Sequence, residues 1–301
     1  MLPERRGDLF ILTATLLASA GWLFSKEAIA GLPPAGFVGW RFVLAALLLL
    51  PFCYRQLRQT SPEHLLKAAA IGLMMTLNLI FWIQAISHSE GIGEGAFIMS
   101  LSMLMVPPLA WLIFRERPSR QFWLALPIAI AGLFLLTMGS GLSLSLSQLL
   151  FLLASLSLAL YFNFNSRFAR RIDPMALTCI QLAVTGVMHL IYSGLFEQWP
   201  DVIEAEIWGW FTASVLLATS LRFVCQSTGQ KYSNVANAAL IMMLEPVWTV
   251  LISVFWYHEP MPIQKVFGCA LILLALLSYR SRSLLAWYRS RRALHPGRRQ
   301  P

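Results

Sequence analysis

Apolar residues in this chain neither alternate with polar ones, as in a half-buried strand, nor recur every three or four positions, as in an amphipathic helix. They run on for about twenty residues at a time, the length of helix that crosses a bilayer core of about 30 Å. Ten nearly uncharged stretches of this kind predict ten spanning helices, over 9–30, 36–54, 68–87, 95–114, 121–139, 147–166, 174–196, 207–228, 234–257 and 263–279. The breaks between them are short and leave no room for a soluble domain, so function must lie between the helices. Arg5 and Arg6 ahead of Ala18-Ser19-Ala20 resemble a signal peptide with a cleavage site. The apolar run continues through Trp22 to Phe24, however, and is read as a retained helix.

Composition agrees with the pattern. The chain is 57% hydrophobic and 12% charged, against roughly 25% charged residues in a soluble domain. Its formal charge of +9 could suggest nucleic acid. Seven of the 23 Lys and Arg, however, lie between Arg280 and Arg299, so the basic balance is largely a tail effect and no nucleic-acid partner is expected. With the N-terminus placed inside, nineteen of the 23 fall in cytoplasmic segments and only Lys265 outside, while Lys26, Arg41 and Arg222 lie within spans. That bias predicts both termini in the cytoplasm and an even number of spans. Cys53, Cys179, Cys225 and Cys269 stand singly, without metal or redox spacing. No cofactor and no metal are expected.

Sliding the chain on itself by 143 residues pairs Ala96 with Ala239, Ile98 with Ile241, Met99 with Met242 and Leu101 with Leu244. The same shift pairs Glu116 with Glu259, Gln121 with Gln264 and Leu133 with Leu276, laying spans 4 and 5 on spans 9 and 10. A repeat of five spans must set its two copies in opposite orientations. The expected fold is therefore all-α and polytopic, with 10 transmembrane helices as two inverted five-helix repeats, 1–140 and 141–286, followed by a basic cytoplasmic tail, 287–301.

Leu244-Glu245-Pro246-Val247 leading to Glu259, the matching turn Arg115-Glu116-Arg117, Arg41 on span 2 and Gly229-Gln230-Lys231-Tyr232-Ser233 carry a resemblance to the drug/metabolite transporter superfamily, specifically its EamA type. The resemblance covers nearly the whole chain. It implies a carrier of small organic solutes, often outward: amino acids, related metabolites or drugs. It further implies a central cavity between spans 1, 3, 4, 6, 8 and 9, and a bacterial inner (plasma) membrane as the setting. One departure is that Ser102-Met103 stands where the second half has Glu245-Pro246, with the prolines displaced to Pro107 and Pro108.

Glu245 lies about eleven residues from either end of span 9, roughly 16 Å from each boundary. A carboxyl that deep is expected to favour its neutral form until water or a cation reaches it, the profile of a proton-coupling group. It serves equally as a neutral cap whose hydroxyl bonds the Met242 carbonyl, which Pro246 leaves without a helical donor. Arg222, with Gln226 one turn on, suits a substrate carboxylate, a pairing with Glu245, or simple snorkelling. Lys26 and Arg41 are expected to snorkel or to anchor their helices. Asn78 and Trp82 share a helix face and form a recognition pair or a plain helix contact. Trp22 and the Tyr161, Phe162, Asn163, Asn165 cluster read as aromatic belt, with Trp22 kept as a substrate-binding candidate. Met99 and Met242 occupy matching places in the two halves and offer an adaptable cavity wall, as does Ser102, the counterpart of Glu245.

An intramembrane enzyme needs converging acids, histidines or nucleophiles, and His64, His88, His189, His258 and His295 are scattered without a metal-binding motif. The expectation is a carrier and not an enzyme. An uncoupled facilitator or a non-transporting scaffold remains the alternative, a small-molecule substrate and the lipid bilayer are the expected partners, and a homodimer stays open.

Overall fold

The computed structural model describes residues 3–88, 92–137, 146–257, 263, 264, 266–268, 270–275 and 278. The Glu259 turn, Lys265 and the basic tail lie outside these residues. The described chain is helical throughout, with no strand. Its elements are α1 (Pro3–Ala28), α2 (Pro34–Gln59), α3 (Pro62–Ser87), α4 (Ile92–Phe114), α5 (Arg120–Thr137), α6 (Leu146–Phe168) and α7 (Pro174–Phe196). Then come α8 (Ala205–Ala213), a π-helical segment (Ser214–Leu221), α9 (Arg222–Tyr232), α10 (Val235–Met242) and α11 (Glu245–Tyr257), with further helical residues between 263 and 278. Two expected spans are thus not uniform: the eighth widens into π-helix at its centre, and the ninth breaks at Met243–Leu244. Among the described residues seven helices are long and apolar enough to cross a membrane.

Helix starts follow local chemistry. Pro62 and Pro174 sit in the first turn, where a missing N–H costs nothing. Ser61 and Asp173 cap the exposed donors of α3 and α7, and Asn234 accepts from the Asn237 N–H at 2.7 Å to start α10. At the start of α2 the cap comes from elsewhere in the chain, because the Glu197 carboxylate accepts from Ala35 N–H and Gly36 N–H, both at 2.8 Å. That places the end of α7 beside the start of α2.

Packing exchanges the two halves. Helix α1 lies on the eighth segment as α6 lies on α3; α10 and α11 lie on α1 as α4 lies on α6; α2 packs along α7, its own counterpart. Close approach at this last crossing depends on glycine, since a Cβ on Gly186 would lie 2.6 Å from Val43 N. Buried side chains form two main cores, one around α2 and α7, the other around α4 and α10. Many large apolar side chains face outward, among them Leu47, Leu112, Phe255 and Phe267. So much exposed apolar surface suits hydrocarbon rather than water.

Candidate functional site

Between the two cores lies a cavity of about 150 Å³ with an open mouth. All nine residues singled out by sequence line it: Trp22, Asn78, Trp82, Met99, Ser102, Arg222, Gln226, Met242 and Glu245. The six expected spans contribute, and so does α2, through Val38, Arg41 and Phe42. What the sequence reading missed is therefore a wall of the second helix.

The seam between α1 and α11 carries the most explicit chemistry. Thr15, Ser19 and Trp22, spaced four and three apart, share one face of α1. Thr15 Oγ1 accepts from Trp248 Nε1 at 3.1 Å, Ser19 Oγ donates to the Glu245 backbone carbonyl at 3.1 Å, and Trp22 Nε1 donates to Glu245 Oε1 at 2.9 Å. The Glu245 side chain thus goes to an indole of the neighbouring helix, not back to the Met242 carbonyl. The cap envisaged for it is replaced by a break in the helix: Met243 and Leu244 form a tight turn, and α11 restarts with Pro246 in its first turn. Trp22 also meets Trp82 edge to face, with ring centroids 5.2 Å apart, so it is part of the cavity wall rather than an interfacial belt.

Arg41 anchors its helix instead of snorkelling. Its guanidinium is buried and donates to Thr219 Oγ1, to Ser25 Oγ at 2.9 Å and to the Ala218 carbonyl at 3.1 Å. Two of these acceptors belong to the π-helical segment, whose own hydroxyls bond five residues back, from Thr219 to the Ser214 carbonyl and from Ser220 to the Val215 carbonyl. A widened turn of this kind re-aims backbone and side-chain groups within a helix. Gly21 lets α1 close on it, since a Cβ there would lie 2.9 Å from Ala218 Cβ.

Arg222 follows directly after the π-helical segment, its guanidinium carbon 4.2 Å from the Phe223 ring centroid. Among the described residues no carboxylate lies within the 4 Å of an ion pair with Arg222, so Arg222 and Glu245 share the cavity without a salt bridge. Asn78 lines the cavity while its Nδ2 donates to the Ala154 carbonyl at 2.7 Å, tying α3 to α6. The Ser102 hydroxyl stays on its own helix, at 2.5 Å from the Met99 carbonyl.

The Tyr161 cluster is internal, which corrects the belt reading. Tyr161 OH donates to Gln181 Oε1, Gln181 Nε2 to Asn165 Oδ1 at 2.8 Å, and Asn165 Nδ2 to Gln230 Oε1, with all four residues buried. Asn163 Nδ2 donates to the Val106 carbonyl at 2.9 Å, beside the prolines of α4. Aromatic neighbours in sequence masked the amides that hold α6, α7 and α9 together. Among the described residues no group of three or more His, Cys, Asp or Glu could hold a metal.

The profile of the EamA-like transporter family matches residues 5–138 and again 145–280. A protein of Archaeoglobus fulgidus named an uncharacterized transporter is 25% identical over 273 residues, 91% of this chain and 96% of that protein. The uncharacterized transporter YyaM of Bacillus subtilis is 26% identical over 286 residues, 90% of this chain and 92% of its own. A protein of known crystal structure shares the fold with a TM-score of 0.78 at 19% identity, over 94% of this chain and 98% of that one.

Proposed function

Because the chain belongs to the EamA-like transporter family, we propose that it is a secondary carrier that moves small organic metabolites outward across the bacterial inner membrane by alternating access. The membrane-transporter character comes with the family. The direction, the coupling and the site are our reading. In this reading the chain has ten spans in two inverted five-helix repeats, supported by the apolar stretches and the internal repeat, with both termini and the basic tail on the cytoplasmic side, supported by the charge bias of the loops.

One observation carries the mechanism: the cavity wall draws on both repeats and holds Glu245 at a break in its helix. A change in how the repeats meet would expose such a wall to one side or the other. Trp22, Asn78, Trp82, Met99, Ser102, Arg222, Gln226 and Met242 form the substrate surface in this reading. Glu245 is the coupling group, taking up a proton when water reaches the cavity and giving it up to the other side.

Counterflow in proteoliposomes tests it. Vesicles preloaded with an unlabelled pool of amino acids, organic acids and amines are diluted into labelled members. Saturable accumulation of at least one label is expected. Absence of exchange by folded protein across such a pool would overturn the carrier reading.

A further inference from the structure

The charged side chains lining the cavity, among the described residues, are two guanidinium groups, Arg41 and Arg222, and one carboxyl, Glu245. Guanidinium groups stay protonated. The lining therefore carries net positive charge even with Glu245 ionised, and more with Glu245 neutral. The two arginines differ in what is left of them. Arg41 spends its donors on Thr219, Ser25 and the Ala218 carbonyl. Among the described residues Arg222 has no protein acceptor, its Nε is buried without a partner, and its guanidinium carbon lies over the Phe223 ring. One turn along the same helix, Gln226 is 2% exposed, and its Oε1 is likewise buried without a partner. Arg222 thus lacks an acceptor and Gln226 lacks a donor, on one face of one helix at the cavity wall. Leaving such groups unmatched is costly, and a ligand that matches both relieves it. The same cavity is lined by an aromatic pair, Trp22 edge to face with Trp82.

Resting on the carrier reading above, and narrowing its substrate class, we propose that the cavity takes an organic monoanion: a carboxylate held by Arg222, with an adjacent O–H or N–H donor received by Gln226 and an apolar or aromatic body against Trp22 and Trp82. Cationic amphiphiles are disfavoured by the same charge balance. Arg222 sets the charge preference, and Gln226 reads the donor beside the charge. Arg41 contributes its field while holding the π-helical segment.

The test uses three probes of similar size on the full chain in detergent, read by equilibrium binding: 3-phenyllactate, 3-phenylpropionate and 3-phenylpropylamine. Phenyllactate is expected to bind tightest, phenylpropionate about tenfold weaker for want of the donor, and the amine weakest. Arg222→Gln should erase the preference for carboxylates, with Arg222→Lys retaining part of it. Gln226→Leu should remove only the difference between phenyllactate and phenylpropionate. The wild-type order alone decides the charge class, so the test survives a variant that misfolds. Binding of the amine as tight as that of the carboxylates, binding of none of the three, or an unchanged order in folded Arg222→Gln would overturn the proposal. Exchange of amines in the counterflow pool, without carboxylates, would overturn it while leaving the carrier standing. Carboxylate binding without exchange of any solute would instead remove the carrier and leave the site.

Discussion

In the first repeat α4 runs unbroken from Ile92 to Phe114 through two adjacent prolines, whereas in the second the corresponding helix stops at Met242 and restarts at Glu245 over one. The difference lies in where the prolines sit. Pro107 and Pro108 sit mid-helix, where each removes a donor and crowds the preceding turn. The carbonyls they leave without helical donors are those of Met103 and Leu104, while the Asn163 amide of α6 ties α4 to α6 at the Val106 carbonyl beside them. Pro246 sits instead at the second position of a new helix, where no donor is needed. The restarted turn is tied to α1 by Thr15, Ser19 and Trp22. At its far end α4 finishes with Arg115 in the left-handed region, φ 59°, setting Glu116 2.6 Å from Arg167 of α6. The frame is thus repeated while the chemistry is not: α10 and α11 bring a carboxyl and a break to the cavity, and α4 brings thioethers and a self-bonded serine.

The largest expected effect comes from removing that asymmetry at its charge. Glu245→Gln keeps an oxygen to accept from Trp22 and deletes only the ability to carry a proton. For one coupled proton, accumulation driven by a pH gradient should fall from about tenfold per pH unit to none, while exchange persists. Ser102→Ala, at the matching place in α4, should leave the gradient dependence intact, since it removes no titratable group. Gradient dependence that survives Glu245→Gln would show the carboxyl to be structural.

Second in size is a contrast between the prolines. An interior helical proline costs about 3 kcal/mol relative to alanine. A first-turn proline costs close to none. Pro107→Ala is therefore expected to raise thermal stability in detergent, and Pro246→Ala to change it by less than about 1 kcal/mol. A large gain from Pro246→Ala would mean that the break is imposed by proline alone and not held by α1.

Much of this was legible in the chain, for reasons that also explain the gaps. Hydrocarbon excludes charge, so the helical segments announce themselves, and a carboxyl at mid-span is found by counting residues from the polar breaks. The break was half legible: Pro246 orphans the Met242 carbonyl, but whether a side chain caps it or the helix parts there depends on what α1 offers. Thr15, Ser19 and Trp22 have the spacing of one helix face, a signal passed over because hydroxyls within spans so often bond their own backbone. Nothing in Ser214–Leu221 marks π-helix, since its widened turns draw on ordinary apolar residues and hydroxyls. Without that segment the interior place of Arg41 could not be seen, because two of its acceptors lie there.

The smallest effect separates the two serines that flank the cavity's broken and unbroken helices. Ser19 Oγ reaches both the Thr15 carbonyl of its own helix, at 2.8 Å, and the Glu245 carbonyl across the seam, at 3.1 Å. Ser102 Oγ reaches only the Met99 carbonyl one turn back. Cross-helix hydrogen bonds within membranes average about 0.6 kcal/mol, and bonds to a side chain's own helix add nothing to helix association. Ser19→Ala should accordingly lower stability by about 0.6 kcal/mol, and Ser102→Ala by less than about 0.3 kcal/mol, in paired unfolding titrations. The sign of the difference matters more than its size. If the Ser19 hydroxyl spends its one proton chiefly on Thr15, the two variants will match, and the hold of α1 on the restarted helix will rest on Trp22 and Trp248 alone. In that case Trp22→Phe, which keeps the ring against Trp82 but removes the indole donor, becomes the substitution that loosens Glu245.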